Sequence, residues 1–368
     1  MKVTVTQENL NKALSIVSRV VGSRTSLPVL GNVLLQTEAG RLRLSATDLE
    51  IGLTTWLGAK VDEEGAITVP SRAFAELVSS TTDSTLTLQT AEAVLKVSSE
   101  HVKVNLRGID AEEFPVIPSI DHSSSSEVSG PALLQALKQV IIAAAPDDAR
   151  PTLAGVYFKW QGTELRCVAT DSYRLAEKKI TLDQAVAETK EAIVPARSIN
   201  ELARVLSSLN PDRLAISLRD NQALFSFPDV ELVSRLIDGK YPDYEKIIPA
   251  QKATSATIEA EDLRNTLRSA GIFARESANT AKLHFGPGNE ITISAIASQL
   301  GDTTLSAQAE IEGEEAEANF NVKYLADGAG VISDQKIEFL LSGKLQPGLL
   351  QGVGSPDFRY VIMPLKTE

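Results

Sequence analysis

The stretch VATDSYRLA, Val168 to Ala176, sets Thr170, Asp171, Ser172, Tyr173 and Arg174 between apolar residues. A hydroxyl, a carboxylate and a guanidinium brought together in this way could activate a nucleophile or move a proton. Acid-base work at Asp171 needs a second titratable group, however, and a nucleophilic Ser172 needs a base, usually histidine. The chain has 3 histidines, His101, His122 and His284, and none is spaced to pair. The single cysteine, Cys167, falls inside an alternating apolar run, the place of a packed residue rather than a reactive one. Clusters with metal-ligand spacing and glycine-rich phosphate loops are missing, and GPGNE from Gly286 reads as a hairpin turn. The sequence therefore points to a non-catalytic protein with no metal and no cofactor. The same Ala-Thr-Asp recurs at Ala46 to Asp48, so Asp48 and Asp171 are both expected to accept backbone hydrogen bonds in a turn.

The elements that hold these residues come in repeats. LPVLGNVLLQTEAGRLRLSATDLEI from Leu27 aligns with RPTLAGVYFKWQGTELRCVATDSYR from Arg150. Further on, ITVPSRAFAEL aligns with AIVPARSINEL, and RGIDAEEFPVIP with RLIDGKYPDYEKIIP, at an offset that grows slowly along the chain. A fainter third copy starts near Ala253, with TIEAEDLRNTLRSAGI, ANFNVKYLADG and RYVIMP in the same order. Three domains of about 120 residues each are expected, a common domain size, with bounds at 1–122, 123–250 and 251–368. The serine run DHSSSSEV from Asp121 reads as the connection between the first two.

Each copy has the same internal pattern. In the first, Leu10, Leu14, Val17 and Val21 share one face of a helix entered through Thr6 as N-cap. Alternating runs follow (RLRLSA, TLTLQT, AVLKVSS, HVKVNLR), and a second helix from Ser71 turns Phe74, Leu77 and Val78 inward. The second copy opens with Pro131 in the first turn of a helix and later carries Ile199, Leu202 and Leu206 on another. Two helices and many period-2 strands per copy predict an α+β fold with the helices packed to one side of antiparallel sheets.

Charge separates the faces. The formal net charge of -12 argues against indiscriminate adhesion to nucleic acid, which is driven by excess Lys and Arg. Yet Lys12 and Arg19 share one helical face, Arg197 and Arg204 repeat the arrangement, Lys138 marks the second copy, and Arg264, Arg268 and Arg275 form a stripe in the third. Acidic residues gather elsewhere, as in EIEGEEAE from Glu310. A recurring basic helical face on an acidic protein suits a polyanion. The opening MKVTVTQENL lacks the apolar core of a signal peptide, and one cysteine forms no internal disulfide, so a cytoplasmic location is expected.

Taken in order, LPVLGNVLL, TDLEIG, TVPSRAF, ATDSYRLA, VPARSINEL, DGKYPDYEKIIP, FNVKYLADG and the terminal YVIMPL resemble the bacterial DNA polymerase III beta subunits, the sliding clamps, across nearly all of the chain. The resemblance implies three tandem clamp domains, a head-to-tail homodimer closed into a six-domain ring, and duplex DNA held in a lumen lined by helices. It implies DNA contact at Arg24, Arg72, Arg150 and Arg197, with Arg24 and Arg150 open to a structural role because each precedes a matching strand. Asp147 and Asp148 stand where relatives carry a polar amide, which bears against a backbone contact there.

The resemblance also implies a peptide-docking groove between the second and third domains, used by the polymerase alpha subunit, the clamp loader, repair polymerases and mismatch-repair factors. Carried over, the groove comprises Leu153, Thr170, Ser172, Tyr173, Arg174 and Leu175, then Pro242, Lys246 and Ile247, then Leu345, Pro347, Val361, Met363, Pro364 and Leu365. Two seated Leu or Phe anchors would contribute about 3–6 kcal/mol before ordering costs, hence micromolar binding. Ser172 replaces a frequent Gly and Tyr173 a frequent His, changes that alter which peptides fit. Dimerisation is expected to bring Val104 and Leu106 on one protomer to Ile272 and Phe273 on its partner. The competing reading is a peptide-binding scaffold that does not encircle DNA.

Overall fold

The structure is a computed structural model and describes all residues except 23–26, 119, 121–124, 148, 250–252, 287 and 367–368. Arg24, His122 and Asp148 thus lie outside the described residues. The chain divides into two compact units, Met1–Pro131 with Arg204–Leu236, and Ala132–Ala203 with Ile237–Glu368. Six α-helices are described: α1 (Gln7–Val17), α2 (Ser71–Ser80), α3 (Gly130–Val140), α4 (Ala196–Leu209), α5 (Ala260–Ala274) and α6 (Val322–Val331). None is long and apolar enough to cross a membrane.

The helices begin where local chemistry starts them. Thr6 caps α1 by accepting from the Asn9 amide at 3.4 Å, and Asn321 caps α6 by accepting from the Lys323 and Tyr324 amides at 3.0 and 3.2 Å. The inward face of α1 is Leu10, Leu14 and Val17 as the spacing predicts, with Ala13 and Ile16 beside them. The helix stops at Val17, short of Val21, and the Arg204 guanidinium donates to the freed carbonyls of Ser15 and Ile16 at 3.1 and 2.6 Å. In α2, Phe74 and Val78 are buried and Leu77 is half-buried.

In the first unit, a five-stranded sheet runs in the order Lys60–Glu63, Lys2–Thr6, Thr85–Ala91, Val94–Ser98, Lys103–Arg107. An eight-stranded sheet runs Ser126–Ser129, Arg213–Arg219, Gln222–Phe227, Val230–Arg235, Ile51–Gly58, Arg41–Thr47, Asn32–Glu38, Ala66–Pro70. Ser126–Ser129, read from the sequence as part of a connection, is an edge strand with only Val128 buried, which explains its polar composition. The second unit has a twelve-stranded sheet that starts Lys190–Pro195, Gly155–Gln161, Glu164–Thr170, Arg174–Thr181, Ser355–Ile362, Gly348–Gly352, Lys336–Leu341. It continues through Thr254–Glu259, Gly301–Gly313, Glu290–Ala297, Thr280–Gly286 and Ala316–Asn321. The strands named pair antiparallel with their neighbours. Sheets with one face covered by helices account for the period-2 alternation of most strands.

One close approach in the second unit has a measurable consequence. Gly328 in α6 lies against the buried Tyr360, and a Cβ built on it would stand 2.5 Å from the aromatic carbons. Alanine in a helix interior gains about 1 kcal/mol over glycine, but overpacking of this kind costs about 1–3 kcal/mol. The Tyr360 hydroxyl is fixed to the Tyr324 carbonyl at 2.8 Å, so the side chain has little room to yield. Gly328→Ala is expected to lower the unfolding free energy by about 1 kcal/mol or more in a denaturant titration. An unchanged or raised midpoint would mean that the helix shifts freely.

Candidate functional site

The turn at Asp171 answers the question of chemistry. The Asp171 Oδ1 accepts from the Tyr173 and Arg174 amides at 2.9 and 3.0 Å, and Oδ2 accepts from the Arg174 Nε at 3.1 Å. Thr170 Oγ1 donates to the Arg174 carbonyl at 2.7 Å and accepts from the Ser172 amide at 3.1 Å. The first copy repeats this: Asp48 accepts from the Glu50 and Ile51 amides at 3.0 and 2.8 Å, and Thr47 Oγ1 donates to the Ile51 carbonyl at 2.9 Å. In both turns the residue after the aspartate has a φ of 77°, Leu49 in one and Ser172 in the other. The carboxylates shape turns and are spent in doing so, as the sequence predicts.

Arg174 is anchored from three sides. Besides Asp171, its Nη1 meets Asp327 Oδ2 on α6 at 2.5 Å, and its guanidinium lies 4.1 Å from the centre of the Tyr324 ring. Burial opposes its charge, but Tyr360 and Asp327 outweigh burial and raise its pKa above the ordinary value. The residue therefore serves as a fixed cation at the end of the turn. Cys167 is buried, and burial pushes its thiol pKa up, which fits a packed residue.

Beside the turn lies an apolar floor. Leu153, Leu175 and Val361 are buried in one cluster with Ala145, Tyr157, Val168, Ile193, Tyr241, Tyr244 and Leu349, and Ile237, Ile248 and Leu340 pack against it. The strand register explains the meeting: Leu175 faces Val361, and Val361 faces Leu349. Tyr157 and Tyr241 stack at 4.7 Å with planes 7° apart, and Tyr244 stands edge-on to both. The Tyr244 hydroxyl donates to the buried Glu177 at 2.9 Å. Burial raises the pKa of all three tyrosines, so they stay neutral.

Most of the other residues that the resemblance assigns to the groove are more open. Tyr173 is 58% exposed, Leu345 60% and Ile247 39%. Ser172 and Pro242 are exposed, Thr170 is buried, and Pro347 is half-buried. Lys246 is exposed and pairs with Asp243 at 2.6 Å on its own loop. The half-buried Met363, Pro364 and Leu365 close one side, with the Met363 amide donating to the Tyr173 carbonyl at 2.8 Å and the Leu365 amide to the Asn319 carbonyl at 2.7 Å. Sequence reasoning did not pick out Tyr157, Tyr241, Tyr244 or Asp327. The two tyrosines three apart in YPDYEKIIP were the available signal for an aromatic seat.

The first unit has a corresponding junction, packed with different side chains. Gly52 faces Val233, and Val233 faces Leu224, which is the register of Leu175, Val361 and Leu349. The Arg235 amide donates to the Glu50 carbonyl at 2.9 Å, as Met363 does to Tyr173. Where the second unit has the Leu175 side chain, Gly52 leaves space, and Ile117 Cγ2 sits 2.7 Å from the point its Cβ would occupy. Ile117 and Ile120 cover Leu224 and Val233. A glycine paired with an inserted isoleucine thus takes, in the first unit, the place that the Leu175 side chain takes in the second.

The basic residues divide into two groups. Arg72 is exposed and pairs with Glu76 at 2.9 Å, an i,i+4 contact worth little when solvated. Arg197, Lys12, Arg19, Lys138, Arg268 and Arg275 are exposed on their helices or at helix ends. Arg204 and Arg264 instead serve as helix caps, Arg264 donating from Nε to the Ala329 carbonyl at 2.9 Å and from Nη2 to the Ile332 carbonyl. Arg150 donates to Ser172 Oγ at 2.7 Å and to the Asp171 carbonyl at 3.0 Å. Val104 and Leu106 are half-buried on the edge strand Lys103–Arg107, whereas on α5 Ile272 is 50% exposed and Phe273 half-buried.

Among the described residues no group of His, Cys, Asp or Glu is placed to hold a metal ion. Repeated helix-and-sheet modules, with carboxylates engaged in turns and a buried apolar floor beside one of them, define a repeated α+β protein of one recognisable family. The chain belongs to the DNA polymerase III beta subunit family, matching its N-terminal domain over residues 1–118, its central domain over 127–243 and its C-terminal domain over 245–366. It is 34% identical over 372 residues to the beta sliding clamp of Synechococcus elongatus, covering 100% of this chain and 99% of the relative. Identity to the beta sliding clamp of Bacillus subtilis is 28% over 378 residues, with both chains covered 100%. The crystal structure of the DNA polymerase sliding clamp from Bacillus subtilis superposes with a TM-score of 0.95 at 27% identity, and the DNA polymerase III subunit beta from Pseudomonas aeruginosa with 0.95 at 30%, each covering 100% of both chains. The chain is accordingly built of three tandem α+β clamp domains and is a non-catalytic DNA polymerase processivity clamp.

Proposed function

We propose that two copies of the chain close head to tail into a ring that encircles duplex DNA without reading its sequence, and that the apolar floor docks linear peptides of the proteins the ring tethers. The domains run 1–122, 123–250 and 251–368. A topological link needs only a few phosphate-facing cations, and a net charge of -12 suits a body that slides rather than grips. Arg24, Arg72 and Arg197 are the proposed DNA contacts, while Arg150, which the resemblance also offers for DNA, takes the structural role left open to it by donating to Ser172 and the Asp171 carbonyl. The tethered partners are the replicative polymerase alpha subunit, the clamp loader, repair polymerases and mismatch-repair factors, in the cytoplasm at the nucleoid.

The observation that carries the docking reading is the buried aliphatic and tyrosine floor in the second unit, with exposed Tyr173 two residues from its Leu175 and exposed Ile247 next in the chain to Ile248, which packs on it. Such a surface fits short apolar anchors, and Met363 adds an adaptable thioether at its side. The test of encirclement is retention on nicked circular DNA after loading by the cognate loader with ATP, followed by a single cut. Protein held on the circle and lost from the linear form is the expected result. Equal behaviour on the two forms would leave a scaffold that does not encircle DNA.

A further inference from the structure

We infer that Arg150 is a positioning residue of the docking rim, latching the turn at Ser172 so that Tyr173 is presented to a bound peptide. This inference rests on the docking reading. Ser172 has a φ of 77°, a left-handed conformation that costs a side-chain-bearing residue more than glycine. Two features favour that conformation: the Asx turn made by Asp171, and the Arg150 fork, with Nη1 on Ser172 Oγ at 2.7 Å and Nη2 on the Asp171 carbonyl at 3.0 Å. A planar guanidinium reaches both acceptors at once, one on a side chain and one on the backbone, which an ammonium group does not match.

The neighbour after the latched pair is Tyr173, the most exposed aromatic of the rim, and its carbonyl accepts from Met363. The latch therefore sets the position of a residue that joins two walls of the site. Two of the five donors of this guanidinium are engaged by the turn.

The test uses the full-length protein, a fluorescein-labelled peptide with adjacent Leu and Phe anchors read by polarisation, and amide hydrogen exchange at Ser172 and Tyr173. Arg150→Ala is expected to weaken peptide binding about fivefold, the size of one net hydrogen bond, and to speed exchange of both amides. Arg150→Lys should lose nearly as much. In a Ser172→Gly background, where the left-handed turn carries no Cβ penalty, Arg150→Ala should cost less than about twofold. Retention of Arg150→Ala on circular DNA should match the wild type.

An Arg150→Ala protein with unchanged peptide affinity and unchanged exchange overturns the latch, and reduced DNA retention in that protein would return Arg150 to the DNA. An equal loss in the wild-type and Ser172→Gly backgrounds, with a lowered unfolding temperature, overturns it in favour of a purely structural role. If the wild type itself does not bind the peptide, the docking reading fails, and the exchange rates still decide whether Arg150 holds the turn.

Discussion

The double variant Ile272→Asp, Phe273→Asp is expected to scatter light as a monomer at micromolar concentration, where the wild type, on the proposed ring, scatters as a dimer. Both side chains lie off the inward face of α5, which is formed by Leu263, Leu267, Ala270 and Ala274, so the change leaves the core intact. One strand of apolar content ends its sheet, and another divides its pairing between two neighbours. Lys103–Arg107 ends its five-stranded sheet with Val104 and Leu106 half-buried. Gly301–Gly313 pairs with Glu290–Ala297 from Gly301 to Gln308 and with Thr254–Glu259 from Ala309 to Gly313, so its two halves use different neighbours. An end strand favours strand addition by another chain, and in a head-to-tail pair each protomer supplies one edge to its partner.

The magnitude follows from burial. Covering the exposed halves of an Ile and a Phe contributes about 1 kcal/mol each at each of the two interfaces of a closed ring, and a carboxylate in their place resists desolvation as well. A loss of about 4 kcal/mol raises the dimer dissociation constant by about a thousandfold, and a ring that opens this readily falls from circular DNA. Thermal unfolding of the variant monomer as a folded protein is part of the expectation. A dimer that persists below micromolar concentration would remove these residues from the interface.

How much of this was legible in the sequence depends on the range of the interaction. Thr6 as a helix cap and the turn roles of Asp48 and Asp171 were readable because a cap and an Asx turn are closed within four residues. KVNLR and RLRLSAT showed their faces because strand alternation is local. Partners distant in the chain were not readable. Alternation shows which side of Val230–Arg235 is buried, not that its neighbour is Ile51–Gly58. A seven-residue spacing places Arg204 on the same helical face as Arg197, but no local pattern shows that its guanidinium closes α1. The contrast between Gly52 filled by Ile117 and the floor at Leu175 is likewise a matter of volume in three dimensions.

Removal of residues 363–368 is expected to abolish peptide docking while leaving the fold standing. The strand Ser355–Ile362 keeps its ladder, with Ile362 facing Arg174 on one side and Gly348 on the other, and the buried Tyr360, Val361 and Ile362 stay in place. What is lost is the half-buried wall of Met363, Pro364 and Leu365, together with the bonds from Met363 to Tyr173 and from Leu365 to Asn319. Two apolar side chains that a peptide anchor would otherwise cover account for about 3 kcal/mol, which moves a micromolar dissociation constant by more than a hundredfold. Because these residues contribute through contact with the ligand, the unfolding midpoint should move far less than the affinity. Met363→Ala alone should then give a smaller loss, about tenfold, by removing one side chain and keeping the backbone bond to Tyr173. If the truncated chain bound the labelled peptide within about threefold of the wild type, the terminal segment would be no part of the site, and the floor at Leu175 and Val361 would have to be approached from another side.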